Sequence, residues 1–256
     1  MDTPLVSIIV ATYNRERYIA EAISSAQAQT YPNWELIVMD DGSSDNTDDV
    51  VEKIADKDAR VRYVRQPKNA GIARNRNAGL EEARGELIAM LDSDDRWTDP
   101  DKLKKQVAFL QANPDHVMVG TFVRVMDEKG LLGASVEYET SDAGIRSHIL
   151  LRNQFAQSSL LYRAADIRSI GGYDPKYTVN DDYDLWLKLG LKHKFANLPE
   201  YTADYRVHSG GITTEKKLLA ADEHIRIIRE YRHEYPYYFK AMIKGYARIV
   251  LAILGL

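Results

Sequence analysis

Three short acidic stretches stand out as the chemistry of this chain: Asp40-Asp41-Gly42-Ser43, Asp92-Ser93-Asp94-Asp95 and Asn180-Asp181-Asp182. The first two follow directly on apolar runs of strand length, Trp34–Met39 and Leu87–Leu91. Asp, Gly and Ser at a strand end make turns and cap helices, and that is reason enough for one such tetrapeptide. Two at neighbouring strand ends require more, because carboxylates sharing a cleft repel one another unless some protonate or a cation enters. An oxygen-rich site of this kind suits Mg²⁺ or Mn²⁺, which take one or two carboxylates together with phosphate oxygens and water. The expected ligand is a metal–diphosphate. A third strand end, Ala11-Thr12-Tyr13-Asn14, offers a small residue, a hydroxyl and an aromatic ring but no glycine. Neither Gly-x-Gly-x-x-Gly nor Gly-x-x-x-x-Gly-Lys-Ser/Thr follows it, so no glycine loop cradles a phosphate chain there. Ala11, Thr12 and Tyr13 suit the edge and face of a nucleobase instead, with Asp41 accepting the N–H of a uracil-type base.

The elements that hold these residues read as an α/β alternation. Leu5–Ala11, Trp34–Met39, Val61–Val64 and Leu87–Leu91 are continuous apolar runs, as in strands buried on both faces of a parallel sheet. Helical spacing occupies the intervals: Tyr18 to Ala26, Val50 to Ile54 and Ala73 to Ala83. Asp45 or Asn46 is placed to cap the second helix, and Gly85 to end the third. This series predicts a three-layer α/β/α fold with a mostly parallel central sheet. Beyond Asp95 the pattern predicts a helix over 100–112 and strands over 117–125, 157–162, 194–196 and 202–207. A helix near 184–189 and a helical last forty residues, broken near Pro236, complete the reading. The predicted organisation is one domain over 1–212, with a nucleotide-binding half (1–115) and an acceptor-side half (116–212). Residues 213–256 form a helical extension.

Composition narrows the function classes. The 256 residues carry a formal net charge of -4, which leaves no basic footprint for nucleic acid. There is no cysteine, so disulfides and thiolate metal sites are excluded. The start, Met1-Asp2-Thr3-Pro4, has no basic region or small-residue cleavage site of a signal peptide, and no apolar run reaches membrane-spanning length. A cytoplasmic protein is the expectation.

In order and spacing, these elements resemble the family 2 glycosyltransferases, which have the GT-A fold. The resemblance is carried by Val6–Arg15, Ser24–Gln29 with Thr30-Tyr31, Leu36–Asp45, Asn69-Ala70-Gly71, Arg76-Asn77-Ala78-Gly79 and Gly85–Asp95. It covers roughly residues 5–115 densely and continues more thinly to about 210. There Gly171-Gly172-Tyr173-Asp174 and Asp181-Asp182-Tyr183-Asp184-Leu185-Trp186 look like the family's acceptor-side segment, with Asp181 standing where the family has Glu. Tyr205-Arg206-Val207-His208 resembles a later motif whose histidine approaches the metal or diphosphate.

The resemblance implies an inverting, single-displacement transfer of a sugar from a nucleotide-diphosphate donor, UDP-sugar favoured, to a hydroxyl of a glycan or lipid-linked acceptor. Asp92 and Asp94 form its Asp-x-Asp element; Asp94 or Asp95 holds Mn²⁺ or Mg²⁺, with His208 nearby. Arg74 or Arg76 contacts the nucleotide or its phosphates. Asp182 is the general base, expected to be ionised near neutral pH because a helix N-terminus favours a carboxylate. Trp186, four residues on, shares its helix face and is a candidate floor for an acceptor sugar, the alternative being that a Trp in a leucine-rich helix belongs to the core; Asp181 is a candidate acceptor contact. Two other classes fit a sugar-nucleotide site on such a sheet. A sugar-1-phosphate nucleotidyltransferase would have a glycine-rich, arginine-containing loop after the first strand, which Ala11–Asn14 does not match. A non-catalytic sugar-nucleotide or glycan-binding module would not need all these acids.

Near the C-terminus Lys240, Lys244 and Arg248 recur every four residues beside apolar positions, and Tyr231, Tyr235, Tyr237, Tyr238 and Phe239 precede or flank them. A basic amphipathic helix with an aromatic collar suits peripheral contact with an anionic membrane. The competing expectation is packing on the catalytic domain or on a second subunit.

Overall fold

The computed structural model describes residues 3–254; Met1-Asp2 and the last two residues of the apolar stretch 249–256 lie outside the described residues. In chain order the strands are β1 Val6–Thr12, β2 Trp34–Asp40, β3 Val61–Arg65, β4 Leu87–Met90, β5 Arg96–Trp97, β6 His116–Met126, β7 Leu132–Val136, β8 Leu161–Arg163 and β9 Lys194–Arg206. The helices are α1 Ile19–Gln27, α2 Thr47–Ala55, α3 Ile72–Glu82, α4 Lys102–Ala112, α5 Asp142–His148, α6 Ala164–Ser169, α7 Asp181–Gly190, α8 Ile212–Glu215, α9 Lys217–Glu230 and α10 Tyr238–Ile253.

All strands join one sheet in the order β3-β2-β1-β4-β8-β6-β9-β5, with β7 on the flank of β6. The first four strands are parallel throughout. β8 then enters antiparallel between β4 and β6, while β6 and β9 run parallel. The chain order turns back between β1 and β4, and in open α/β sheets the ligand crevice lies at such a reversal, outside the carboxyl strand ends.

All residues of β1 and β2 are buried, which explains their unbroken apolar sequence. Alternate residues feed opposite layers. Ile9, Ile37 and Met39 pack with Ala73 and Leu80 of α3, whereas Ile8, Val10, Leu36 and Val38 pack with Ile19, Ala22, Ile23 and Ala26 of α1. Those four α1 positions recur at one-turn spacing and form its buried stripe; each fully buried isoleucine contributes roughly 1.5–3 kcal/mol. Gly79 lets α3 lie close on the sheet, since a Cβ there would stand 2.7 Å from Ile9 Cγ2. Gly85 lies beyond the end of α3 and serves the sheet instead: its Cβ would meet Ser7 N at 2.6 Å. At the head of α2, Asp45 rather than Asn46 accepts from Thr47 N (3.1 Å), while Asn46 makes no side-chain cap bond.

Beyond β4 the elements depart from the expected ones in several places. The stretch 157–162 is a 3₁₀ turn at Gln157–Ser159 followed by the short β8. The two late strands are one strand, β9, kept continuous past Pro199 by register shifts against β6. β5 and β7 are strands too short or too polar to declare themselves. The C-terminal helices pack on the domain, as one of the two expectations for them has it: Ile227, Ile228, Tyr231, Tyr235 and Ala241 belong to the core cluster that contains α7. Among the described residues, no helix is long and apolar enough to cross a membrane.

Candidate active site

The carboxyl ends of β1, β2 and β4 open on one edge. At the end of β1, Ala11 and Thr12 are buried, and the Thr12 hydroxyl has no hydrogen-bond partner. Tyr13 turns outward with 42% of its surface exposed. A large ring left in solvent at a strand end, next to an unpartnered hydroxyl, suits a flat ligand.

The two oxygens of Asp41 accept from the backbone N–H groups of Ala70 (2.8 Å) and Gly71 (2.9 Å), and the side chain is buried. It pins the loop before α3 to the end of β2, with one accepted hydrogen bond on each oxygen. Gly42 makes this possible: its φ of +75° and the backbone of Lys68 3.0 Å from any Cβ admit no side chain.

The acids after β4 separate into three environments. Asp95 is buried and accepts from Ser158 Oγ (2.5 Å) and Arg206 N (2.8 Å), tying the turn to β9. Burial, with Asp94 and Asp92 beside it, pushes its carboxyl well above the usual range. Both of its oxygens are thus engaged in holding the turn. Asp94 keeps one oxygen against His208 Nε2 (2.9 Å) and Arg15 Nε (3.3 Å). Burial opposes its ionisation, but the His208 hydrogen bond and the Arg15 charge outweigh it and hold the carboxyl below its ordinary value. Arg206 reinforces the turn through Nε to the Asp94 carbonyl (2.7 Å).

Asp92 is held by Arg76, and here the two halves of the chain meet. Arg76, buried on α3, sends Nη2 to Asp92 (2.8 Å) and Nη1 to both oxygens of Asp181 (3.0 and 3.0 Å). Its cation is retained despite burial because two carboxylates face it. The expectation that Arg76 contacts the nucleotide is corrected: its fork is occupied by protein carboxylates. Arg74 is exposed on the same helix. Asp181, at the first turn of α7, is likewise committed to Arg76, so it supports the site and is not a free acceptor contact.

Asp182 is next along α7 and is partly exposed. Burial, then the neighbouring charges of Asp181 and Asp92, push its carboxyl up to about 7, with Arg76 opposing. Low polarity and two like charges thus oppose the helix dipole that the sequence suggested would favour its ionised form. A carboxylate poised near 7 is well matched to general-base work. Asn180 does not cap α7. Its side chain and backbone are held by α9 instead, through the Ala220 carbonyl and Glu223, whose carboxylate accepts from the N–H groups of Thr178, Val179 and Asn180.

Trp186 is 0% exposed, donates Nε1–H to Tyr162 Oη (2.6 Å) and meets Phe155 edge-on. It is core, which corrects the acceptor-floor reading. A cleft of about 540 Å³ lies at the opposite sheet edge around Pro4, Gly85 and Arg163. Its arginines are engaged: Arg84 with Glu35, Arg163 and Arg168 with the last carbonyls of α4 and α3.

Sequence reasoning gave no role to Arg15, Ser158 or Glu223. Arg15 ends the first stretch that carries the family resemblance, Val6–Arg15, and was findable there. Ser158 and Glu223 act through contacts 63 and about 43 residues away, with no local signature.

Comparison with known proteins agrees with this geometry. A model described as Glycosyl transferase family 2 matches residues 7–166. The UDP-Glc:alpha-D-GlcNAc-diphosphoundecaprenol beta-1,3-glucosyltransferase WfaP of Escherichia coli is 32% identical over 215 residues, 83% of this chain and 81% of that one. S. aureus TarS 1-349, solved in complex with UDP-GlcNAc, superposes with a TM-score of 0.74 at 22% identity over 95% of this chain and 72% of its own. The mannosyltransferase PcManGT from Pyrobaculum calidifontis, solved in complex with GDP-Man and Mn²⁺, gives 0.73 at 21% identity over 97% and 70%. The shared architecture is the GT-A fold.

Proposed function

The chain belongs to glycosyl transferase family 2, and on that premise we propose that it moves a sugar from a nucleotide-diphosphate donor to a hydroxyl of a glycan or lipid-linked acceptor. A UDP-sugar is the favoured donor, in keeping with the named substrate of WfaP, and the proposed compartment is the cytoplasm. The observation that carries the reading is the Arg76 fork, which joins Asp92 of the donor-side acids to Asp181, the residue before Asp182. Residues 92 and 182 are thereby brought to one site from opposite halves of the sequence.

In this reading Tyr13 stacks on the nucleobase and the Thr12 hydroxyl meets its edge. Asp94 and His208 fit a divalent ion: they are already 2.9 Å apart, and the ionised carboxylate and imidazole need only phosphate oxygens and water to complete a shell. When bound, Mn²⁺ or Mg²⁺ supplies Lewis-acid neutralisation of charge on the departing diphosphate. Arg15, now on Asp94, is placed to turn toward a phosphate oxygen.

Asp182 takes the proton of the acceptor hydroxyl as its oxygen attacks the anomeric carbon. The bond to the diphosphate breaks on the opposite face, the diphosphate leaves with the electron pair, and configuration inverts. General-base help of this kind is worth about 10²–10⁴ in rate. Asp182→Asn tests it: donor affinity by calorimetry stays within about twofold, while transfer falls by roughly that factor. Transfer at the wild-type rate would remove the assignment.

A further inference from the structure

We propose that the outer face of α10 docks on an anionic lipid bilayer. Three stripes run along this helix. Ala241 and Gly245 face α9, with no room at Gly245, where a Cβ would stand 2.8 Å from Ile225 Cγ1. Tyr238 and Met242 complete the packed stripe from its edge. The opposite side carries Phe239, Ile243, Tyr246, Val250 and Ile253, spaced at three or four residues and therefore on one face. Phe239 is 80% and Ile243 71% exposed, and the others are also exposed. Packing on the catalytic core and an apolar outer face thus coexist on one helix, so the two expectations for this segment are not exclusive.

The third stripe identifies the occupant. Lys240, Lys244 and Arg248 lie beside the apolar face, and residues 237–254 contain no Asp or Glu, in a chain whose net charge is -4. An apolar stripe flanked by cations matches an anionic interface, where apolar side chains enter the acyl boundary and lysines meet headgroups. A second copy of the helix laid on this face would instead bring like charges together. Arg248 also reaches His224 Nε2 of α9 (3.2 Å), so the cationic edge is fixed to the body of the protein. Docking here would orient the whole catalytic unit, because α9 holds the turn before Asp181 through Glu223. The proposal does not rest on the sugar-transfer reading.

The test is co-sedimentation of the full chain with phosphatidylcholine vesicles, with and without phosphatidylglycerol, at low and high salt. Light scattering of the free protein gives its mass. Wild type pellets with the anionic vesicles, less so in high salt. Ile243→Glu/Val250→Glu lowers partitioning by roughly 100-fold, at an unchanged melting temperature because both sites face solvent. Lys240→Glu/Lys244→Glu, also on the exposed side, loses the preference for phosphatidylglycerol. Wild type left in the supernatant with anionic vesicles would overturn the proposal. So would equal binding to neutral vesicles, or a dimer that Ile243→Glu/Val250→Glu converts to monomer.

Discussion

Replacing Arg76 by Gln leaves a shorter, neutral polar side chain and removes the cation that Asp92 and Asp181 share. Arg76 and Asp181 are buried and joined by two contacts of 3.0 Å, with a third of 2.8 Å to Asp92. Removing one partner of a buried ion pair typically costs about 3–5 kcal/mol. For a chain of this size that corresponds to a fall in melting temperature of roughly 6–20 °C. The pH dependence has a definite sign. Asp181 and Asp92 already sit above their ordinary values through burial, and without Arg76 they rise further. An acid whose folded value exceeds its unfolded value binds more protons when folded, so stability falls as pH rises above the unfolded value near 4. The gap to wild type therefore widens from acid toward neutral pH. Catalysis shifts in parallel. If Asp182 is the base, the acid limb of the wild-type rate profile is expected near 7, and loss of the opposing charge moves it upward by roughly 1–3 units. Arg76→Lys, which retains the charge without the fork, falls between the two on both readouts. Thermal melts from pH 5 to 8 and the pH profile of transfer are the assays. An Arg76→Gln protein that melts within about 1 °C of wild type at pH 7.5, with its limb unmoved, would refute the reasoning.

The outward Tyr13 predicts that Tyr13→Ala raises the donor KM by roughly tenfold, about the worth of one lost base stack, while stability by urea denaturation changes by less than about 0.5 kcal/mol. Trp186→Ala does the reverse: a fully buried indole lost from the core costs about 3–5 kcal/mol in the same denaturation assay, and the acceptor KM of the folded fraction stays unchanged. His208→Ala weakens Mn²⁺ dependence, read as a rise of roughly tenfold or more in the metal concentration for half-maximal transfer.

The donor half was legible in the sequence because its signals are local. Unbroken apolar runs announce strands buried on both faces, and the acids and Tyr13 follow those runs directly. The second half was less so. β9 spans Pro199, which reads as a break, yet the parallel pairing with β6 tolerates it by shifting register. Trp186 looked available because spacing gives a helix face and not what covers it; Tyr162 and Phe155 cover it. The surroundings of Asp182 were hidden for a similar reason. A helix start is visible in sequence, whereas Asp92, ninety residues earlier, becomes its neighbour only through Arg76. Asp41 and Asp95 share the tetrapeptides of the site but serve the backbone, a distinction that rests on the buried N–H groups of Ala70, Gly71 and Arg206.

The most direct measurement is a crystal structure of the chain with a non-hydrolysable UDP-sugar and Mn²⁺. The account predicts the uracil on Tyr13, the metal between Asp94, His208 and the diphosphate, and the anomeric carbon open toward Asp182. Nucleotide bound in the cleft near Arg163 instead, or a diphosphate remote from Asp94 with Asp182 facing no sugar, would contradict it.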